Sequence, residues 1–248
     1  MLPTTRSVSK NIGAEILPIV TAGLYRNSLD AIREYIQNAI DAGTPQLEVS
    51  IDTSSISVSD SGHGMSTEAA RRAMRLGISD KNPSENIGFR GIGIYSGFNL
   101  CDCLEIFSKS ADDGKGSHIV FDFGKIRREL LVEQERRKEG APPSLYLERL
   151  LNAAVFVEED KEQVVQGHGT RVVLTKLLPE LYRPLQDWET VVTYLQNVVP
   201  LPFDPEFRYA TQISKRFAEE DYRVVPVTLQ IGSRREPIYR PYKDRYFA

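Results

Sequence analysis

Residues 28–42 read SLDAIREYIQNAIDA, and the reading of the whole chain starts from the spacing of their side chains. At about 100° per residue, Glu34, Asn38 and Asp41 fall within about 60° of one another on a helix. Leu29, Ile32, Tyr35, Ile36, Ala39 and Ile40 take the opposite arc and are expected to pack on a sheet. An ordinary amphipathic surface helix accounts for this pattern by itself. The polar stripe also has chemical uses. An amide oxygen is a good single ligand for Mg²⁺, which keeps waters and takes its other ligands from phosphates. A carboxylate one helical turn earlier stands where it can accept a proton from an attacking water.

The surrounding chain fits a helix-on-sheet core. At 248 residues it is long enough for one large α/β core, alone or with a small appendage. Its 31 Lys+Arg against 34 Asp+Glu give a formal charge of −3, so whole-chain electrostatics draw it to neither nucleic acid nor membrane. No apolar run approaches the roughly 20 residues that a membrane span needs. The N-terminus, MLPTTRSVSK, lacks a signal-like apolar segment, so a cytoplasmic location is the default. Cys101 and Cys103 form no disulfide framework. Together with the scattered His63, His118 and His168 they are too few for a structural zinc site.

Helical periodicity runs over 14–42, with a break expected near Pro18. Strands are expected at Leu47–Ile51, Ile56–Ser59, Leu104–Ser108, His118–Phe123, Val155–Glu158 and Arg171–Leu174. Thr67–Leu76 reads as a helix capped by Ser66, Arg127–Lys138 as a charged helix, and Thr190–Val199 as a helix ended by Pro200. Residues 77–97 are rich in Gly, Ser, Asn and Asp and read as a mobile loop. A last strand is expected at Val224–Ile231. The prolines at 200, 202 and 205 divide the chain into 1–199 and a C-terminal extension, 200–248, and the abrupt end reads as the front portion of a longer protein. This order gives an α/β sandwich with helices covering one face of a mixed sheet.

Two glycine-containing motifs follow the helix. Val58–Met65 reads VSDSGHGM, with an acid at a strand end and glycines suited to close backbone approach or positive φ. It fits a plain strand–turn–helix corner, or a pocket in which Asp60 accepts an adenine amino group and Met65 supplies an apolar surface for the ring. Asn86–Gly97 reads NIGFRGIGIYSG, whose backbone N–H groups suit phosphate oxygens. It matches neither G-x-x-x-x-G-K-[ST] nor the dinucleotide fingerprint.

Glu34-x-x-x-Asn38-x-x-Asp41-Ala42, then Asp60-x-Gly62-x-Gly64-Met65, then Gly88-x-x-Gly91-x-Gly93, then Gly169-Thr170 opening a strand resembles the GHKL superfamily. Its members include DNA gyrase B subunits, ninety-kilodalton heat-shock chaperones, sensor histidine kinases, MutL repair proteins and MORC ATPases. The resemblance spans Ser28 to Leu174 and implies a Bergerat-type ATP-binding fold, an α/β (α+β) sandwich with ATP and Mg²⁺ as ligands. It implies Glu34 as general base and Asn38 as the Mg²⁺ ligand, with Asp41 near the nucleotide. Asp60 would bind the adenine amino group, supported by Gly62, Gly64, Met65 and Thr170. Gly88, Phe89, Arg90, Gly91, Ile92 and Gly93 would wrap the phosphates, and Lys81 is similar to a lid lysine. GFRG and LGISDK are most similar to the chaperone, MutL and MORC branch, and histidine kinases fit worse.

From this resemblance the chain is expected to hydrolyse ATP slowly, a lid at about residues 77–99 closing over ATP and changing an interdomain or homodimer contact. No lysine in 200–248 is placed at the γ-phosphate. A rival reading keeps nucleotide sensing without hydrolysis. Expected partners are ATP and ADP, a second copy, and a client protein or DNA. In a third reading the basic end binds nucleic acid, with Arg234, Arg235, Arg240, Lys243 and Arg245 alternating with Tyr239, Tyr242 and Tyr246.

Overall fold

A computed structural model describes residues 12–25, 27–77, 91–161 and 165–242. Their frame is a sheet of eight strands: β1 (Leu47–Ile51), β2 (Ser55–Asp60), β3 (Cys101–Lys109), β4 (Gly116–Asp122), β5 (Val155–Lys161), β6 (Gly169–Leu177), β7 (Val227–Ile231) and β8 (Arg234–Ile238). The spatial order is β5-β4-β3-β6-β2-β1-β7-β8. Only β1 and β7 run parallel among these neighbours, so the sheet is mixed, as expected.

Alternation along the strands makes the sheet one-sided. Ile119, Ile106, Val172, Val58, Val49 and Leu229 stand in register across six strands and are all buried. The intervening positions, among them Glu105, Arg171, Ser57, Ser59, Ser50 and Gln230, lie on the other face, which stays at least partly open. Helices cover the apolar face: α1 (Ile16–Leu24), α2 (Ser28–Asp41), α3 (Thr67–Ala73), α4 (Phe123–Lys138), α5 (Leu147–Ala154) and α7 (Trp188–Val198), with the short α6 at Pro179–Tyr182. The expected α/β sandwich with helices on one face of a mixed sheet is the observed fold. α8 (Ala210–Glu219) buries only Ala210.

Helix α2 forms where its periodicity placed it. Asn27 caps it by accepting Leu29 N–H, and Asp30 returns the bond to Asn27 N–H. Leu29, Ile32, Ile36 and Ile40 are buried, each stabilising the fold by about 1.5–3 kcal/mol relative to exposure. Pro18 does not break α1. It sits in the first turn, where a missing N–H costs nothing, and the chain instead turns after Leu24.

The stretch 77–97 is not loop throughout. Gly93–Asn99 is a 3₁₀ helix in which Tyr95, Ser96, Gly97 and Phe98 are buried, because aromatic side chains anchor it on α2 and the core. α5, α8 and β8 were not anticipated from sequence, and β3, β4 and β6 are longer at one or both ends than expected. β7 and β8 extend the same sheet that holds β1.

One buried carboxylate fixes the connection after α4. Glu133 accepts Ser144 N–H at 2.6 Å, Leu145 N–H at 3.3 Å and the Ser144 hydroxyl at 3.0 Å, and pairs with Arg136 at 2.6 Å. The Ser144 N–H bond leads in holding its carboxyl below the usual range. A depressed carboxyl contributes stability that is present above its unfolded value and is lost as pH falls through its folded value. Glu133→Gln, which turns two amide hydrogens toward these donors, is therefore expected to lower the unfolding temperature at pH 7. The gap from the parent should close as the pH falls into the acid range, as read by thermal melts across a pH series.

Candidate active site

Three sequence-distant segments meet at the edge of α2. The acid turn after β2 lies against the end of that helix: His63 N–H donates to Ala42 O at 2.9 Å, and a Cβ on Gly62 would stand 2.6 Å from the same oxygen. Gly64 has φ +66°, and a Cβ there would stand 2.0 Å from Lys109 O, at the end of β3. Gly169, opening β6, would place a Cβ 2.2 Å from Asp60 O. These glycines let main chain rest on main chain where any side chain would push the strands apart.

Asp60 sits at the centre of that packing. Its Oδ1 accepts Gly62 N–H at 2.8 Å and Thr170 N–H at 3.3 Å. Both bonds fall on one oxygen, so among the described residues Oδ2 keeps its lone pairs for a ligand. Burial pushes the carboxyl above the usual range, against the lowering pull of the Gly62 and Thr170 N–H groups and of His168.

Helix α2 presents the polar stripe beside the other glycine segment. A Cβ on Gly93 would stand 2.8 Å from Glu34 Oε2 and 3.6 Å from Asn38 Nδ2. The main chain at Gly93 thus rests against both Glu34 and Asn38, an approach that the missing side chain permits. Glu34 Oε1 is paired with Arg33 Nη2 at 3.2 Å, and Arg33 lies 3.5 Å from Asp30, which accepts the Tyr194 hydroxyl of α7 at 2.6 Å. Gly91 has φ +65°, and its carbonyl accepts Gly77 N–H at 2.9 Å. Ile92 leads directly into the 3₁₀ turn. Asp41 lies at the C-terminal end of α2, next to the Ala42 carbonyl on which the acid turn rests. Lys81, Gly88, Phe89 and Arg90 lie outside the described residues.

Comparison with known proteins fits this arrangement. Residues 25–145 match the family described as histidine kinase-, DNA gyrase B-, and HSP90-like ATPase. Over that span, just under half of the chain, it is similar to the GHKL superfamily. Its relatives include the DNA mismatch repair protein MutL of Pelobacter propionicus, 32% identical over 106 residues, which is 39% of this chain and 17% of that protein. The putative type II restriction enzyme HgiDII of Herpetosiphon aurantiacus is 25% identical over 166 residues, 64% of this chain and 26% of that protein. The chaperone protein HtpG of Psychrobacter arcticus is 26% identical over 159 residues, 46% of this chain and 24% of that protein. The chain thus matches between 17% and 26% of the length of these curated relatives. The general activity of GHKL ATPases is ATP binding and hydrolysis, on the MutL and chaperone branch to which these relatives point.

Sequence reading passed over two residues that hold the acid turn. Ser108 is buried in β3; its hydroxyl accepts Met65 N–H at 2.9 Å and lies 2.8 Å from the Thr170 hydroxyl. Its one sequence signal is a small hydroxyl on the inward phase of an apolar strand. His168 is exposed, yet its Nδ1 lies 2.6 Å from Gly62 O, where an Nδ1–H would clamp the acid turn to the start of β6.

The glycine contacts differ in what they tolerate. At Gly93 the clashing atom ends a side chain that can swing away, and no positive φ is required. At Gly64 it is a strand carbonyl, and φ is positive. Gly93→Ala is expected to melt within about 2 °C of the parent, whereas Gly64→Ala should lose more than about 3 kcal/mol or fail to fold. Denaturant unfolding followed by circular dichroism distinguishes the two.

Proposed function

We propose that this chain binds ATP with Mg²⁺ in the space bounded by Asp60, Glu34, Asn38 and Gly91–Gly93, and hydrolyses it slowly. The observation that carries the reading is the close approach of Gly93 to Glu34 and Asn38, a carboxylate and an amide one turn apart on one face of α2. Asp60, with Oδ1 committed to backbone N–H groups, would accept the adenine amino group on Oδ2, with Gly62, Gly64 and Thr170 holding the turn and Met65 beside the ring. Gly88, Phe89, Arg90, Gly91, Ile92 and Gly93 would line the phosphates, with Lys81 and Asp41 near them. Asn38 would hold Mg²⁺, which when bound supplies charge neutralisation at the phosphates. Glu34 would take the proton of an attacking water as the new O–P bond forms, and the bond to ADP breaks on the opposite side.

Lid closure over residues 77–99 and ATP-dependent pairing of two copies complete the proposal. The pairing is supported by α1, where Ile16 and Ile19, with the preceding Ile12, are exposed on an element packed against the Gly93–Asn99 turn. Exposed apolar side chains beside an element that contacts nucleotide are where a bound γ-phosphate can alter association. A non-hydrolysable ATP analogue, unlike ADP, is expected to shift the chain toward dimer in analytical ultracentrifugation.

A second reading, that the ATPase belongs to a DNA-handling protein, is favoured by relatives named for mismatch repair and restriction. Along the basic end, Arg234 is paired with Glu236 and stacked on Trp188, and Arg235 is paired with Glu48. Arg240 lies over Phe203; Lys243, Arg245 and Tyr246 lie outside the described residues. Two of these arginines are therefore occupied within the fold, which argues for DNA contact elsewhere. DNA-stimulated phosphate release would support this reading.

Two substitutions separate binding from turnover. Glu34→Ala should reduce phosphate release by about 10²–10⁴-fold while ADP still binds. Equal release by mutant and parent, or none by either, defeats the hydrolytic assignment. A buried acid whose carboxyl is raised contributes stability that is lost as pH rises through its folded value, so at neutral pH the Asp60 charge costs the fold stability. Asp60→Asn is expected to keep or raise the melting temperature at pH 7. It should also weaken ADP binding by about tenfold to a hundredfold, the worth of a charge-assisted hydrogen bond of about 1.5–3 kcal/mol.

A further inference from the structure

Tyr35 follows Glu34 in α2 but turns into the core, where only 2% of it is exposed. A phenol buried that deeply needs partners for its hydroxyl. The hydroxyl donates to Ile94 O at 3.1 Å and accepts Gly97 N–H at 2.9 Å. Both partners belong to the 3₁₀ turn Gly93–Asn99. Burial pushes the phenol pKa well up, so the group stays a neutral donor and acceptor.

The fit leaves no slack. A Cβ on Gly97 would stand 2.6 Å from the Tyr35 hydroxyl, so the turn approaches the phenol only because residue 97 is glycine. Four residues earlier, Gly93 rests against Glu34 and Asn38 on the polar side of the same helix. The turn is therefore registered to α2 at two points, one buried and one at the candidate site. Tyr95, in the middle of the turn, donates to Met74 O at 2.5 Å and ties it to the residue after α3. Asp60 is held separately, by Gly62 and Thr170.

We propose that Tyr35 is a positioning residue for ATP hydrolysis: by gripping Ile94 and Gly97, its hydroxyl holds Gly91–Gly93 in register with Glu34 and Asn38. This rests on the reading of Glu34 as general base. Phenylalanine fills the same space but strands a part-buried carbonyl and a buried N–H, and the turn then seeks other partners. A shift of about 1 Å among reacting groups costs up to about a hundredfold in rate, while the Asp60 end of the site stays in place.

The test is Tyr35→Phe in the full chain, with ATP hydrolysis and calorimetric ADP binding measured in parallel. The expected result is a kcat lowered by about tenfold or more, with KM and ADP affinity within about twofold of the parent. In a Glu34→Ala background the same substitution should add no further loss, because it acts through Glu34. An unchanged kcat, an equal further loss on top of Glu34→Ala, or loss of ADP binding together with kcat would each overturn the assignment. Parent turnover that does not depend on Glu34 overturns the hydrolytic reading, and this proposal with it. Glu34-dependent turnover that Tyr35→Phe leaves intact overturns the Tyr35 role alone. If Tyr35→Phe does not fold, Gly97→Ala sets a methyl against the same hydroxyl. It should separate kcat from KM in the same way, and a parental kcat there counts against the proposal.

Discussion

Main chain packed directly on main chain, at Gly62 on Ala42, Gly64 on Lys109 and Gly169 on Asp60, is the constraint from which the candidate site follows. Each contact joins segments far apart in sequence: the end of α2 to the acid turn, the acid turn to β3, and the start of β6 back to β2. None tolerates a Cβ without moving a backbone carbonyl. Asp60 is consequently fixed by backbone rather than by neighbouring side chains, and one of its oxygens is used entirely for that purpose. The other two glycines at issue, Gly93 and Gly97, do the same for the second half of the site, but against side chains of α2.

Helix α2 therefore serves two ends at once. Its apolar arc anchors the helix layer on the sheet, and its polar arc lies beside the turn that follows the glycine segment. The cost shows at Asp60, where burial disfavours the charge that a ligand amino group needs. A stabler fold would neutralise that carboxylate, so its presence at a strand end argues for function more than for architecture.

What sequence reading recovered, and what it missed, follows from the range of the forces involved. α2, α3 with its Ser66 cap, and strands β1 to β7 are local patterns of period and capping, and each forms within a few residues of where the residues placed it. The 3₁₀ turn at Gly93–Asn99 was hidden because its glycines and serine read as loop. It is held by Tyr35 and by burial of Tyr95 and Phe98, contacts that no local window contains. Pro18 misled through its general helix-breaking tendency, which does not apply in a first turn. β8, with its exposed Arg234, Arg235 and Glu236 and its proline, looks like a tail because edge strands are built from residues that discourage further pairing. The glycines of the acid turn were legible as special positions. That they meet protein carbonyls was not.

The central claim is that the acid turn, the Gly93 contact with Glu34 and Asn38, and the opening of β6 act as one nucleotide site. Amide chemical shifts during titration of Mg²⁺·ADP into ¹⁵N-labelled protein test it most directly. The amides of Gly62, Gly93 and Thr170 are expected to move together along one binding curve, while those of β7 and β8 stay still. Shifts confined to one of the three segments, different binding curves for them, or no shift at all would contradict it.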